Sequence, residues 1–168
     1  MTDTVLRQRF LEGMSRGATF VSVITTDGPA GRYGVTVSSM TPVAADGPAP
    51  SLLVCIHQRS PVVAAVLGNG RFCANLLHES QQEVAHIFSG RSKDEPLRRF
   101  EHVAWTAGSG GQPVLTGATA VFSCVLKTSM LWETHHIMVG EVCDVQLSDQ
   151  PQALLYGQRA YRRAVDLS

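Results

Sequence analysis

The chain has 168 residues, 44% hydrophobic and 17% charged, with 14 basic side chains balanced by 14 acidic ones. That length and composition fit one compact soluble domain with a sizeable core. The formal net charge of zero argues against a nucleic-acid binder, which carries a basic excess, and a near-neutral, rather apolar chain suits a homo-oligomer.

Residues 4–14 read as a short amphipathic helix, with Val5, Phe10, Leu11 and Met14 at roughly helical spacing and Gly17 placed to close its end. Residues 20–26 are β-branched and read as a strand. The turn Asp27–Gly31 joins it to a second strand over 32–40, so the two form a hairpin. In the second strand Val35 and Val37 alternate with Gly34, Thr36 and Ser38. One face is therefore apolar, and the other carries small residues and hydroxyls. Such a face suits either a half-solvated strand or a platform for a flat polar ligand.

After a loop over 46–50, residues 51–57 read as a buried strand. Ser60 is placed as the N-cap of a helix over 61–67, with Pro61 at its first position. A turn at Gly68–Gly70 leads to a strand over 71–77. Ser80 and Glu83 form a capping-box pattern for a helix over 80–88. The polar segment 89–101 reads as irregular or as a short helix, and 108–113 as a flexible loop. Residues 118–130 and 134–147 are two long strands, and 156–161 a short final strand or tail. Six or more strands with only short helices predict a mainly β protein, a closed barrel with helical decorations. The lack of regular strand–helix alternation argues against a dinucleotide-binding parallel sheet.

The four cysteines, Cys55, Cys73, Cys124 and Cys143, are far apart in apolar runs, so neither a zinc site nor a disulfide framework is expected. His135 and His136 are adjacent on a strand and point to opposite faces, which disfavours a shared metal. No apolar run is long enough to span a membrane and no signal core is visible, so a cytoplasmic protein is expected. There is no phosphate loop and no nucleophile elbow. Three segments carry polar groups beside apolar strands: His57-Gln-Arg-Ser60 at a helix start, a natural phosphate site; Asn75 within Phe72–Leu76; and Phe88-Ser-Gly-Arg91 at a helix end. Taken singly, Ser60 is a cap, Asn75 a satisfied core amide and Arg91 a surface charge.

Taken in order, Gly34-x-Thr36-x-Ser38-Ser39, Leu53–Ile56 with Ser60, Gly70-x-Phe72-Cys-x-Asn75-Leu76-Leu77 and Phe88-Ser-Gly90 resemble the flavin reductase-like family. Arg99-Phe100 before Trp105, Gly111-x-Pro113-Val-Leu115, Thr134-His135 leading into Val139-Gly-Glu-Val142, and Arg159-x-Tyr161 continue the match. The resemblance covers about residues 10–163 of one domain spanning 1–168. No single motif is specific; their number, order and spacing carry it.

The resemblance implies an FMN-binding split barrel, a Greek-key antiparallel barrel, that dimerises with flavin near the subunit interface. It implies reduction of FMN or FAD by NADH or NADPH, with reduced flavin passing to a partner monooxygenase. Carried onto this chain, Thr36, Val37, Ser38 and Ser39 would lie along the ring and ribityl chain, and Cys55 and Ile56 would line the ring. Ser60 would reach the phosphate, with Ser89 and Arg91 completing that end. Asn75 and Leu76 would form a pocket wall. His135 would sit by the nicotinamide as the catalytic contact, with Tyr161 closing that side. No metal is implied. Glu133 stands where the family usually has glycine; it is either a solvated turn residue or a charge that disfavours NADPH. Two other readings stay open: a barrel that retains FMN and reduces another acceptor, and a non-catalytic flavin- or haem-binding module.

Overall fold

The computed structural model describes residues 3–90 and 95–167. A helix α1 (Asp3–Ser15) precedes the strands β1 (Thr19–Phe20), β2 (Ser22–Thr26), β3 (Tyr33–Val37), β4 (Thr41–Ala44) and β5 (Ser51–His57). Then come α2 (Pro61–Asn69), β6 (Arg71–Leu76), α3 (Gln82–Ile87), a 3-10 turn over Arg98–His102, and the short strands β7 (Trp105–Ala107) and β8 (Pro113–Leu115). Two long strands, β9 (Ala120–Trp132) and β10 (His135–Leu147), and a hairpin of β11 (Leu154–Gly157) and β12 (Ala160–Arg163) complete the chain. Among the described residues, no helix is long and apolar enough to cross a membrane.

The main sheet has seven antiparallel strands in the order β3-β2-β6-β9-β10-β5-β4. Consecutive strands form hairpins, and longer crossings place non-consecutive strands side by side, as the expected Greek-key winding requires. The sheet curls until its edge strand β3 lies back beside β5. There the backbone ladder is missing and a side chain replaces it. The Ser39 hydroxyl accepts from the Cys55 N–H at 2.9 Å and donates to the Cys55 carbonyl at 3.0 Å.

β5 alternates strictly: Leu52, Val54 and Ile56 face inward, where they meet Ile24, Phe72, Cys124 and Met138. Val62, Val63 and Val66 of α2 close that interior. β2 is buried along its whole length because it is covered on both faces. Ile24 faces the barrel, while Val23 joins a second cluster with Leu77, Ala85, Phe88, Phe100 and Leu115. Its hydroxyls are satisfied: Thr25 donates to the Pro113 carbonyl, and Thr26 to the Arg71 carbonyl.

The small face of β3 has a task that the sequence did not show. Val35 and Val37 pack on the barrel cluster, as expected. On the other face the Thr36 hydroxyl donates to the Ala85 carbonyl at 2.8 Å, and the Thr36 N–H to the Phe88 carbonyl at 3.0 Å. A Cβ on Gly34 would stand 2.7 Å from the Phe88 ring. The face therefore docks α3, and Gly34 is small so that the helix end can approach.

Several local expectations are corrected. The Ser80–Glu83 capping box does not form: the Ser80 hydroxyl pairs with His78 Nδ1 at 2.8 Å, and the helix starts at Gln82. Ser60 does occupy the N-cap position of α2 but makes no side-chain cap bond; its N–H donates to the His57 carbonyl and its carbonyl accepts the Val63 N–H. That helix runs to Asn69 and ends on Gly70 in the left-handed region at φ 68°, whereas α1 closes without a left-handed Gly17. The strand expected over 32–40 ends at Val37, a further short strand β4 precedes the expected loop, and 156–161 is a hairpin turn between two strands. Gly34→Ala is expected to cost about 1–3 kcal/mol by overpacking. Thermal melting checks this, and Phe88→Leu in the same chain should recover part of the loss.

Candidate active site

The unladdered seam opens as a cleft of about 580 Å³, within the range of small-molecule sites. It gathers Thr36, Val37, Ser38 and Ser39 from one side of the seam with Cys55, Ile56 and Ser60 from the other, and His135 at its rim. The hydroxyls differ in freedom. Those of Thr36 and Ser39 are committed to α3 and to Cys55. Ser60, at the start of α2, has no cap bond to hold its hydroxyl. The N-terminal N–H groups of α2 favour an anion there.

His57 and His135 are cross-strand partners, and their rings meet edge to face with centroids 5.0 Å apart. His57 Nδ1 accepts the Arg59 N–H at 3.1 Å, and His135 Nδ1 lies 2.9 Å from the Thr134 hydroxyl. Each ring is thus steered by its own strand end. His136 points to the other face, where its Nδ1 meets the Ser129 hydroxyl at 2.9 Å. The opposed faces of these two histidines are as expected. Among the described residues no cluster of three metal-ligating side chains exists.

Among the described residues, two arginines, Arg59 and Arg99, line the cleft, and no carboxylate does. The seam is therefore positive although the chain is neutral overall. Arg99 Nε is buried without a hydrogen-bond partner among the described residues, a donor that an anionic ligand would satisfy. Burial raises the Cys55 thiol above its ordinary range, which disfavours the reactive thiolate. A flat ligand with an acidic tail fits this set of walls: strand backbone and apolar side chains for the ring, and a helix start with guanidinium groups for the charge.

The other expected residues lie elsewhere. Ser89 and Tyr161 line a second cleft of about 550 Å³ on the far side of Thr36–Ser38. His86 and Tyr156 meet the Tyr161 ring there at 5.2 and 5.4 Å. Asn75 is away from both clefts and fully buried. Its amide donates to the Val23 carbonyl and the Thr25 hydroxyl and accepts the Leu115 N–H, which makes it a satisfied core amide. Leu76 pairs in the ladder between β2 and β9 and lines neither cleft. Arg91 lies outside the described residues. His57, Arg59 and Arg99 enlarge the set. The first two were legible in the run His57–Ser60, whereas Arg99 was visible only as one half of Arg99-Phe100.

A sequence model of the flavin reductase like domain matches residues 14–164. The chain is 38% identical over 157 residues to an FMN reductase (NADH), RutF, of Stutzerimonas stutzeri, covering 94% of this chain and 88% of that protein. It is 35% identical to the 4-hydroxyphenylacetate 3-monooxygenase reductase component of Pseudomonas aeruginosa, covering 94% and 91%. Among solved structures, the flavin reductase component of a bacterial two-component tryptophan halogenase superposes with a TM-score of 0.84 at 30% identity, covering 95% and 99%. With the barrel, the seam and these matches together, the chain belongs to the flavin reductase-like family.

Glu133 is an exposed turn residue that does not line the cleft. It takes φ 52° in the two-residue loop between Trp132 and His135, a conformation that costs an L-residue about 1–2 kcal/mol. Glu133→Gly is therefore expected to stabilise the protein by about 1 kcal/mol, which is about 2–4 °C in Tm for a domain of this size. Differential scanning calorimetry checks it; an unchanged Tm would show that the turn carries no strain.

Proposed function

We propose that the protein is an NADH-dependent flavin reductase that reduces FMN or FAD and releases the reduced flavin to a monooxygenase. The observation that carries this reading is the seam cleft, where strand backbone, a helix start and a buried guanidinium nitrogen without a partner among the described residues meet beside His135. The relatives named as an FMN reductase (NADH) and as a monooxygenase reductase component support the flavin, NADH as the donor and an oxygenase as the recipient. NADH is favoured over NADPH on the same ground.

Hydride transfer between nicotinamide and flavin is the chemistry of the two ligands themselves. The chain has to hold two flat rings at contact distance and keep water away. Val37 and Ile56 give the cleft apolar wall. The close backbone at 36–39 lets donors approach the ring edge, where negative charge grows on reduction. Ser60 and the start of α2 receive the phosphate. His135, braced by His57, contacts the nicotinamide side. No acid, base or nucleophile of unusual pKa is needed.

The reading includes a homodimer. α1 buries none of its residues, leaving Val5, Phe10, Leu11 and Met14 exposed. Met130, Leu131 and Trp132 at the end of the β9–β10 hairpin are exposed as well. Apolar surface of that extent favours association. Light scattering after size exclusion is expected to give twice the chain mass.

Anaerobic stopped-flow mixing with NADH tests the activity. Excess free FMN or FAD should bleach with many turnovers per chain, and the protein should purify nearly colourless. Flavin that copurifies and stays oxidised with NADH would replace this reading by a binding module. His135→Ala is expected to raise KM for NADH by more than it raises the flavin Kd. A loss of Tm alone would make His135 a purely structural residue.

A further inference from the structure

The hairpin that carries His135 continues the wall of the seam cleft outward. Cross-strand partners turn their side chains to one face. His57 is paired with His135, and His135 with Trp132. Cys55 is likewise paired with Ile137, and Ile137 with Met130. Two rows of three side chains therefore run across β5, β10 and β9 on a single face, the face on which the rings of His57 and His135 meet. Each row spans about 10 Å, two strand spacings. Cys55, His57 and His135 line the cleft. The outer members are open to solvent: Met130 is 54% exposed and Trp132 64%. Leu131 and His136 are paired on the opposite face. An indole left so open is unusual for a side chain that is mostly buried in folded proteins. Here it stands at the end of a strip that passes through His135.

We propose that Trp132 is the platform on which the adenine of NADH stacks, so that this residue selects a dinucleotide donor over a mononucleotide one. The proposal rests on the flavin-reductase reading above. The cleft, at about 580 Å³, is sized for one small molecule, and the flavin takes that space. The donor then brings only its nicotinamide to the flavin, and its adenosine half lies on surface outside the cleft. From His135 the strip leads there. Every base has a flat π-face that stacks on an aromatic side chain, and the indole is the broadest such face a protein offers. Arg59 follows His57 by two residues, lines the cleft and enters none of the ion pairs of the described residues. A cation is thus at hand for the diphosphate that joins the two halves of the donor. Binding on Trp132 is remote from the reacting atoms, so it acts on the affinity for NADH rather than on the hydride step.

Steady-state turnover with FMN as acceptor, so that NADH carries the only adenine present, tests the proposal when reduced nicotinamide mononucleotide serves as the second donor. The native protein is expected to prefer NADH about tenfold in kcat/KM. Trp132→Ala should lower that preference about fivefold, through KM for NADH rather than kcat, and Trp132→Phe should retain most of it. Binding is read separately, without flavin or NADH. AMP should quench the tryptophan emission of the native protein, and Trp132→Ala, which keeps Trp105 as its one tryptophan, should lose that response. AMP should also inhibit turnover with NADH more than turnover with the mononucleotide. If Trp132 serves only to join two copies, Trp132→Ala would lower the mass seen by light scattering and weaken both donors alike. The intact preference would then overturn the proposal. A native protein that uses the two donors equally, or whose emission ignores AMP, overturns the proposal alone. One that reduces FMN with neither donor overturns the flavin-reductase reading with it.

Discussion

The structure depends on how the curled sheet meets itself between β3 and β5. Two strands brought this close would normally share a ladder, which would seal the barrel. Here the chain leaves β3 at Val37 and crosses to β4 within a few residues, so the backbone at 38–40 cannot run alongside β5. One hydroxyl, that of Ser39, satisfies both backbone groups of Cys55 in place of the missing ladder. Buried backbone groups must be paired, and this single side chain meets that demand without closing the gap. A split that would otherwise be a defect becomes a lined cleft.

The parts of the site follow from what the seam brings together. β5 ends at its mouth, so its continuation, His57 to Ser60, and the start of α2 fall at one end of the gap. β10 pairs with β5 along its length, which sets His135 opposite His57. β3 is tied from behind by α3 through Thr36, and α3 shares its core with Phe100, which places Arg99. The charge of the site is thus a local result of topology. A chain with equal numbers of acidic and basic groups gathers Arg59 and Arg99 at a cleft that no carboxylate of the described residues lines.

Much of this was legible in the sequence, and the exceptions have physical reasons. Alternation in β5 and the length of β9 and β10 follow from side-chain period, and the adjacent histidines could be assigned opposite faces from it. The residues along β3, β5 and the start of α2 meet in one cleft as the family pattern implied. Asn75 fell outside because a buried amide and a ligand-facing amide look alike in sequence; only its partners on Val23, Thr25 and Leu115 tell them apart. The capping box at Ser80 failed because a nearer partner, His78, took the hydroxyl. The final hairpin was missed because its turn, Gln158-Arg159, lacks the Asn-Gly pair that such turns favour.

The positions where the chain breaks local rules are not scattered. Among the described residues, the non-glycine residues with left-handed backbone are Glu133, Gln158 and Arg159. Each sits in a two-residue loop set by its ladder, Trp132 opposite His135 and Gly157 opposite Ala160. The first loop delivers His135 to the seam cleft, and the second delivers Tyr161 to the cleft behind it. A longer, relaxed loop would let the next residue slip in register, and a slip of one turns a side chain to the opposite face. The shortness of the two turns therefore holds each ring on its proper side of the sheet. Arg99 Nε, buried without a partner among the described residues, is a further departure, and it borders the same seam. Departures from local preference that gather at one place are the mark of a site shaped for a ligand. Here they lie around two clefts that share the strand residues 36–38 as a common wall, one side positive and the other aromatic.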